Sequence, residues 1–256
     1  MATGSAASFT LAVVAVLATP GVAAAQQSVP CTAPPAVAVA AVEQRYRGVA
    51  TFSSDFVETL IVKAYDQTVV SNGHVVFSRP ASVDWTFTKP AGARVVSDGV
   101  QTTTYDAPSG RAFVQPVSQQ SPYVAAFAFL GALGTTHTAF QLLCGVTMQF
   151  PGGNVIVAEP VVSTPAYTKI LFYADAASGD VRRVLLLDRQ GNRNRFDFSA
   201  PKVNDPVAPN QFVFTPPAGV AVIFPPPRYG SSSSPTGVDD VAGAGPIDES
   251  FACAGE

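Results

Sequence analysis

The sequence predicts a mainly β fold, an antiparallel sheet or barrel interrupted by one very apolar helix. Short stretches alternate between apolar and polar residues. The clearest covers 83–88, where Val83, Trp85 and Phe87 alternate with Asp84, Thr86 and Thr88, so one sheet face is apolar and the other polar. Turn signals recur at a spacing of about 8–12 residues, as in sheets built from hairpins. Only 13% of the 256 residues are charged, while Pro 22 and Gly 20 supply many turns, a composition of exported β-rich domains rather than of disordered chains.

Residues 1–25 carry no charged side chain, residues 9–17 form an apolar run, and Ala23-Ala24-Ala25 precedes Gln26. These features predict a signal peptide over 1–25 and a periplasmic location. The run is shorter than a membrane span and Pro20-Gly21 interrupts it. A polar, Pro-rich lead over 26–35 follows. Val39, Val42 and Tyr46 then fall on one face of a helix over 36–46. A long strand is expected over 52–66, a tight turn at Ser71-Asn72-Gly73, and a strand over 74–79 broken by Pro80, which lacks an N–H for a ladder. Strands over 83–88, 94–97, 100–105 and 111–117 continue the sheet.

Ser121-Pro122 offers an N-cap with Pro at the first helical position. Tyr123, Ala126, Phe127 and Leu130 share one face, and Gly131 closes the helix. A helix this apolar must be covered on most of its surface. Strands are expected again over 139–150, 154–158, 167–175, 181–188, 192–199 and 211–215, about a dozen in all. The folded domain runs over 36–225, and a Ser-, Gly- and Pro-rich tail over 226–256 is expected to be flexible.

Nothing in this pattern carries catalysis. The acids, among them Asp55, Glu58 and Asp84, are scattered, and read as solvated strand ends and turns. His74 and His137 are isolated and support no zinc site. Nucleophile elbow, phosphate loop and dinucleotide fingerprint are all missing from the sequence. A net charge of −3 offers no case for nucleic acid. Neither enzyme activity nor a cofactor or metal is therefore expected. Of Cys31, Cys144 and Cys253, two can pair in an oxidising compartment; Cys144, in an apolar strand, reads as a buried free thiol, leaving a bridge between Cys31 and Cys253 open. The 17 Phe residues are the chemical signal. They allow two readings: a closed core with the helix as its plug, or a hydrophobic cavity under a movable lid.

The order of short motifs along the chain resembles the periplasmic outer-membrane lipoprotein carrier family, LolA. They are Phe77-Ser78-Arg79-Pro80, Trp85, Val96-Ser97-Asp98-Gly99, Tyr105-Asp106, Phe129-Leu130-Gly131, Leu187-Asp188, and Phe212-Val213-Phe214-Thr215-Pro216-Pro217. The resemblance covers roughly residues 42–225. It implies an unclosed antiparallel β-barrel of about eleven strands under a helical lid. The implied job is to take acylated lipoproteins from an inner-membrane ABC exporter, shield their acyl chains across the periplasm, and pass them to an outer-membrane acceptor, the carrier being a monomer. By the same resemblance Arg79 is a latch bonding lid-helix backbone. Val83, Trp85, Phe87 and Phe113 would line the acyl cavity, with Tyr123, Phe127 and Leu130 on the inner surface of the lid. A different use of the fold, sensing envelope lipid or mislocalised lipoprotein as a signal, is the alternative.

Overall fold

The computed structural model describes residues 35–117, 121–130, 137–144, 148–161, 163–164 and 166–224. The signal peptide, most of the lead, the tail, Gly131, Cys31 and Cys253 lie outside them. The chain opens with helix α1 (Pro35–Tyr46), then strands β1 (Thr51–Val62), β2 (Gln67–Ser78), β3 (Ser82–Lys89), β4 (Arg94–Ser97), β5 (Gln101–Asp106) and β6 (Arg111–Pro116). Helix α2 (Pro122–Ala125) and a 3-10 turn (Ala128–Leu130) separate these from β7 (His137–Cys144), β8 (Gly153–Pro160), β9 (Lys169–Asp175), β10 (Val181–Leu187), β11 (Arg193–Val203) and β12 (Ala221–Ile223).

All twelve strands form one sheet in the order β12-β6-β5-β4-β3-β2-β1-β11-β10-β9-β8-β7. Every pairing is antiparallel except the short parallel contact of β12 with β6. The two edges, β12 and β7, do not meet, so the barrel is unclosed. Alternation along the strands gives the sheet a concave apolar face. β1 places Phe52 and Phe56 there, β2 Val75 and Phe77, β3 Val83, Trp85 and Phe87, and β11 Phe196 and Phe198, all buried in one cluster.

The expected turn at Asn72-Gly73 is not a turn. β1 and β2 pair without interruption from Thr51↔Ser78 to Val62↔Gln67, and twelve matched pairs outweigh a local Asn-Gly preference. The chain reverses instead at Lys63–Tyr65, a 3-10 turn closed by Asp66 in the left-handed conformation (φ 46). The strand expected to reach residue 66 therefore stops at Val62. Gly73 has another use: the β2–β3 register shifts beside it, and a Cβ there would overlap the carbonyl oxygen of Thr86. Gly73→Ala is expected to lower stability by about 1–3 kcal/mol, the usual cost of overpacking. Denaturant titration checks this, and an unchanged midpoint would contradict the close approach.

Other boundaries shift for equally local reasons. The expected helix over 121–131 is one α-turn and one 3-10 turn, and Ser121 makes no side-chain cap bond. The strand expected over 139–150 ends at Cys144, and Gly153, rather than Asn154, opens the next. Residues 211–215 form no strand; they cross the convex face as a strap. Their carbonyls accept from a side chain instead of a neighbouring strand: Arg94 donates to Gln211 O at 2.8 Å and to Val213 O at 3.4 Å. Arg94 also forks onto Asp84 at 2.7 and 3.0 Å, and Gln211 donates to the same carboxylate. Asp84, read above as solvated, is buried under this strap. Cys144 is disulfide-bonded, not the free thiol expected from its apolar surroundings. It is only half-buried, on a strand that ends the sheet among the described residues.

Candidate functional site

The concave face is covered from two directions. On the β7–β8 side lies α1, which buries Ala38, Val39, Val42 and Tyr46. Polar contacts fix it to the β9–β10 turn: Arg45 pairs with Asp180 at 2.6 Å, and the Val181 N–H donates to the Tyr46 hydroxyl at 3.0 Å. Burial pushes the Tyr46 phenol up to about 12. On the β3 side lies the segment over 122–130. Phe127 stands against Phe77 at 5.1 Å, Trp85 at 5.5 Å, Phe52 at 5.7 Å and Phe198 at 5.8 Å. Phe129 meets Tyr46 of α1 at 4.9 Å, so the two covers touch.

The cavity-lining candidates largely converge. Val83 and Trp85 have no exposed surface and Phe87 is buried. Trp85 lies 4.7 Å from Phe56, 4.8 Å from Phe196 and 5.5 Å from Tyr123. Phe127 and Leu130 are buried in the same cluster, and Tyr123 packs against it. In this state the covering segment fills the concave face with its own side chains.

Phe113 is not packed with them. The register runs Val75–Trp85–Val95–Thr104–Phe113 across β2 to β6, so Phe113 shares their face. Beyond Val95, however, the cover ends: Thr104 is exposed, Phe113 is 36% exposed, and its β12 neighbour Ile223 is 37% exposed. The apolar row thus ends at Val95: on this face β5 presents Thr102 and Thr104, and β6 presents Arg111 and Gln115 on either side of Phe113, which stands apart at the β6–β12 edge.

Arg79 bonds helix backbone, but at α1 and not in residues 122–130. Arg79 N donates to Ala50 O at 3.0 Å, which places the end of β2 beside the chain leaving α1. From there Nε donates to Val49 O at 2.5 Å and Nη2 to Tyr46 O at 3.2 Å. These carbonyls close the helix C-terminus, where a cation is favoured. Arg79 is largely exposed, and solvent screening reduces such a contact to about 1 kcal/mol. Arg79→Leu is therefore expected to raise hydrogen exchange just after α1 by about fivefold and to leave 122–130 closed. Opening of 122–130 in that variant would contradict this assignment.

Two polar contacts hold the covering segment, and sequence reasoning missed one of the residues involved. Trp85 Nε1 donates to Tyr123 O at 3.2 Å. The Tyr123 hydroxyl and the Asn194 side chain lie beside the Glu58 carboxyl and favour its charged form. Glu58 is no solvated strand end: it is 4% exposed, on the concave face. Its parity was the signal, because Phe52, Phe56 and Glu58 are separated by even intervals along β1. Burial pushes its carboxyl above the ordinary value, with the bonds from Asn194 and Tyr123 pulling part of the way back. Burial beside this carboxylate likewise raises the Tyr123 phenol. Among the described residues, no three His, Cys, Asp or Glu side chains converge as a metal site.

The family model for the outer membrane lipoprotein carrier protein LolA matches residues 47–215. The outer-membrane lipoprotein carrier protein of Nitrosospira multiformis is 28% identical over 175 residues, covering 68% of this chain and 82% of that protein. Its counterpart in Methylibium petroleiphilum is 30% identical over 165 residues, covering 60% and 72%. Among solved structures, a LolA superfamily protein from Nitrosomonas europaea aligns with 71% of this chain and 98% of its own at 10% identity, with a TM-score of 0.42. The family match reaches from the end of α1 past β11, taking in most of the sheet and the segment that covers it, and the chain belongs to the LolA family of outer membrane lipoprotein carriers.

Proposed function

We propose that this protein is a periplasmic chaperone that holds the acyl chains of lipoproteins on its concave face, with residues 122–130 as a displaceable lid. In this reading it receives cargo from an inner-membrane ABC exporter and delivers it to an acceptor at the outer membrane. The observation that carries the proposal is the lid itself. Phe127, Phe129 and Leu130 are buried against Phe52, Phe77, Trp85 and Phe198, so lifting them uncovers an apolar floor carried by β1, β2, β3 and β11.

The magnitudes suit a carrier that needs no ATP of its own. Exposing three large apolar side chains costs about 1.5–3 kcal/mol each, or roughly 5–9 kcal/mol in total. An acyl chain that buries ten methylenes returns about 8 kcal/mol at 0.8 kcal/mol each. Loaded and empty states then lie close in energy, so cargo is held yet can be released. The polar sites of the lid are few and the work is non-covalent, so the reading calls for no catalytic group.

The test is mass spectrometry of the protein purified from the periplasm. Acylated lipoprotein is expected to co-purify. Free lipid alone, without lipoprotein, would instead favour lipid sensing on this fold.

A further inference from the structure

The aromatic lid has a polar fastening at its centre. In an otherwise apolar site, a buried carboxyl is costly unless it is neutral or well bonded. Glu58 is buried there, opposite Ser71 on β2 and Phe196 on β11; the lid residue Tyr123 packs on Phe196 at 5.8 Å, and Tyr123 and Asn194 lie beside the carboxyl. Phe56 and Leu60 flank it along β1. Of these groups only Tyr123 is titratable. The charged residues of β11 nearby, Arg193, Arg195 and Asp197, pair with Ile61, Thr59 and Val57, which places them on the opposite face.

We propose that Glu58 is the positioning residue of the lid, and that closing residues 122–130 over it is coupled to uptake of one proton by its carboxyl. Open, Glu58 meets water and is favoured as the carboxylate. Closed, it exchanges that water for Tyr123, Asn194 and aromatic rings, and the neutral acid is favoured. The closed state binds more protons, so the free energy of opening falls as pH rises through the closed-state titration. Acidification clamps the lid and alkalinity loosens it. Burial raising the carboxyl above its ordinary value has the same sign. In a carrier, this sets how readily the empty form accepts a chain and how strongly re-closure expels it. The inference rests on the carrier reading only in treating 122–130 as the lid.

The test uses the full chain without cargo. Opening is read as hydrogen exchange in residues 122–130, corrected for the pH dependence of the intrinsic rate, because exchange registers an open state that is only rarely populated. Between about pH 4 and about pH 9, where buried carboxyls titrate, the opening constant of the wild type is expected to rise with pH, by up to about tenfold per pH unit, until the closed-state carboxyl is itself ionised. Glu58→Gln, which keeps a polar group beside Tyr123 without a charge, is expected to lose that rise and stay at the low-pH opening constant. Tyr123→Phe removes a hydroxyl that favours the closed-state carboxylate, so its rise is expected to continue to higher pH before it levels off, and it serves as a second variant should the first fail to fold. A wild-type opening constant that does not change with pH, a Glu58→Gln constant that rises like wild type, or a Tyr123→Phe rise that levels off at or below the wild-type pH would each overturn the proposal. A pH-responsive lid on a protein that binds no acylated cargo would leave this inference standing and remove the carrier reading.

Discussion

Trp85→Ala is expected to lower the unfolding free energy by about 3–5 kcal/mol, the range for deleting a large aromatic from a close-packed core. No part of Trp85 is exposed. Its ring bridges the sheet floor at Phe56 and Phe196 to the lid at Tyr123 and Phe127. The substitution also leaves Tyr123 O without its donor. Domains are stable by only about 5–15 kcal/mol, so the loss is a large share of the total. Equilibrium denaturation measures it. A change below about 1 kcal/mol, the average for an ordinary substitution, would show that the concave face is not packed as described.

Phe127→Ala is expected to cost a similar amount but to spend it on a different equilibrium. Phe127 belongs to the lid, and its ring contacts reach Phe52, Phe77, Trp85, Phe129 and Phe198. Losing about 3 kcal/mol of packing there raises the open-lid population by roughly a hundredfold. Hydrogen exchange within 122–130 and binding of an apolar dye should increase without denaturant, while exchange in β1 and β2 stays slow. Uniform loss of protection across the sheet would mean that 122–130 is core and does not open separately. The contrast with Arg79 follows from magnitude: a screened contact of about 1 kcal/mol fastens the end of α1, whereas several buried rings keep the lid shut.

The sheet was legible in the sequence because alternation and turns are local signals. Val83, Trp85 and Phe87 read correctly as one buried row, and the Asp98-Gly99 hairpin joins β4 to β5. What was not legible depended on contacts distant in sequence. Asn72-Gly73 resembles a hairpin turn until the whole β1–β2 ladder is counted. Residues 211–215 alternate like a strand, but Arg94, more than a hundred positions earlier, takes their carbonyls. Asp84 and Glu58 are both acids on strands, and nothing local says that a strap covers one and a lid covers the other. Phe113 has the correct face by register, but whether a face is covered depends on where the lid ends, which periodicity does not encode.

The most direct test of the carrier account compares one lipopeptide with and without its acyl chains. The purified protein is mixed with each form and the soluble complex is separated by size-exclusion chromatography. The account predicts a soluble complex with the acylated form, competed by free fatty acyl chains, and none with the deacylated form. Equal retention of both forms, or of neither, would contradict it.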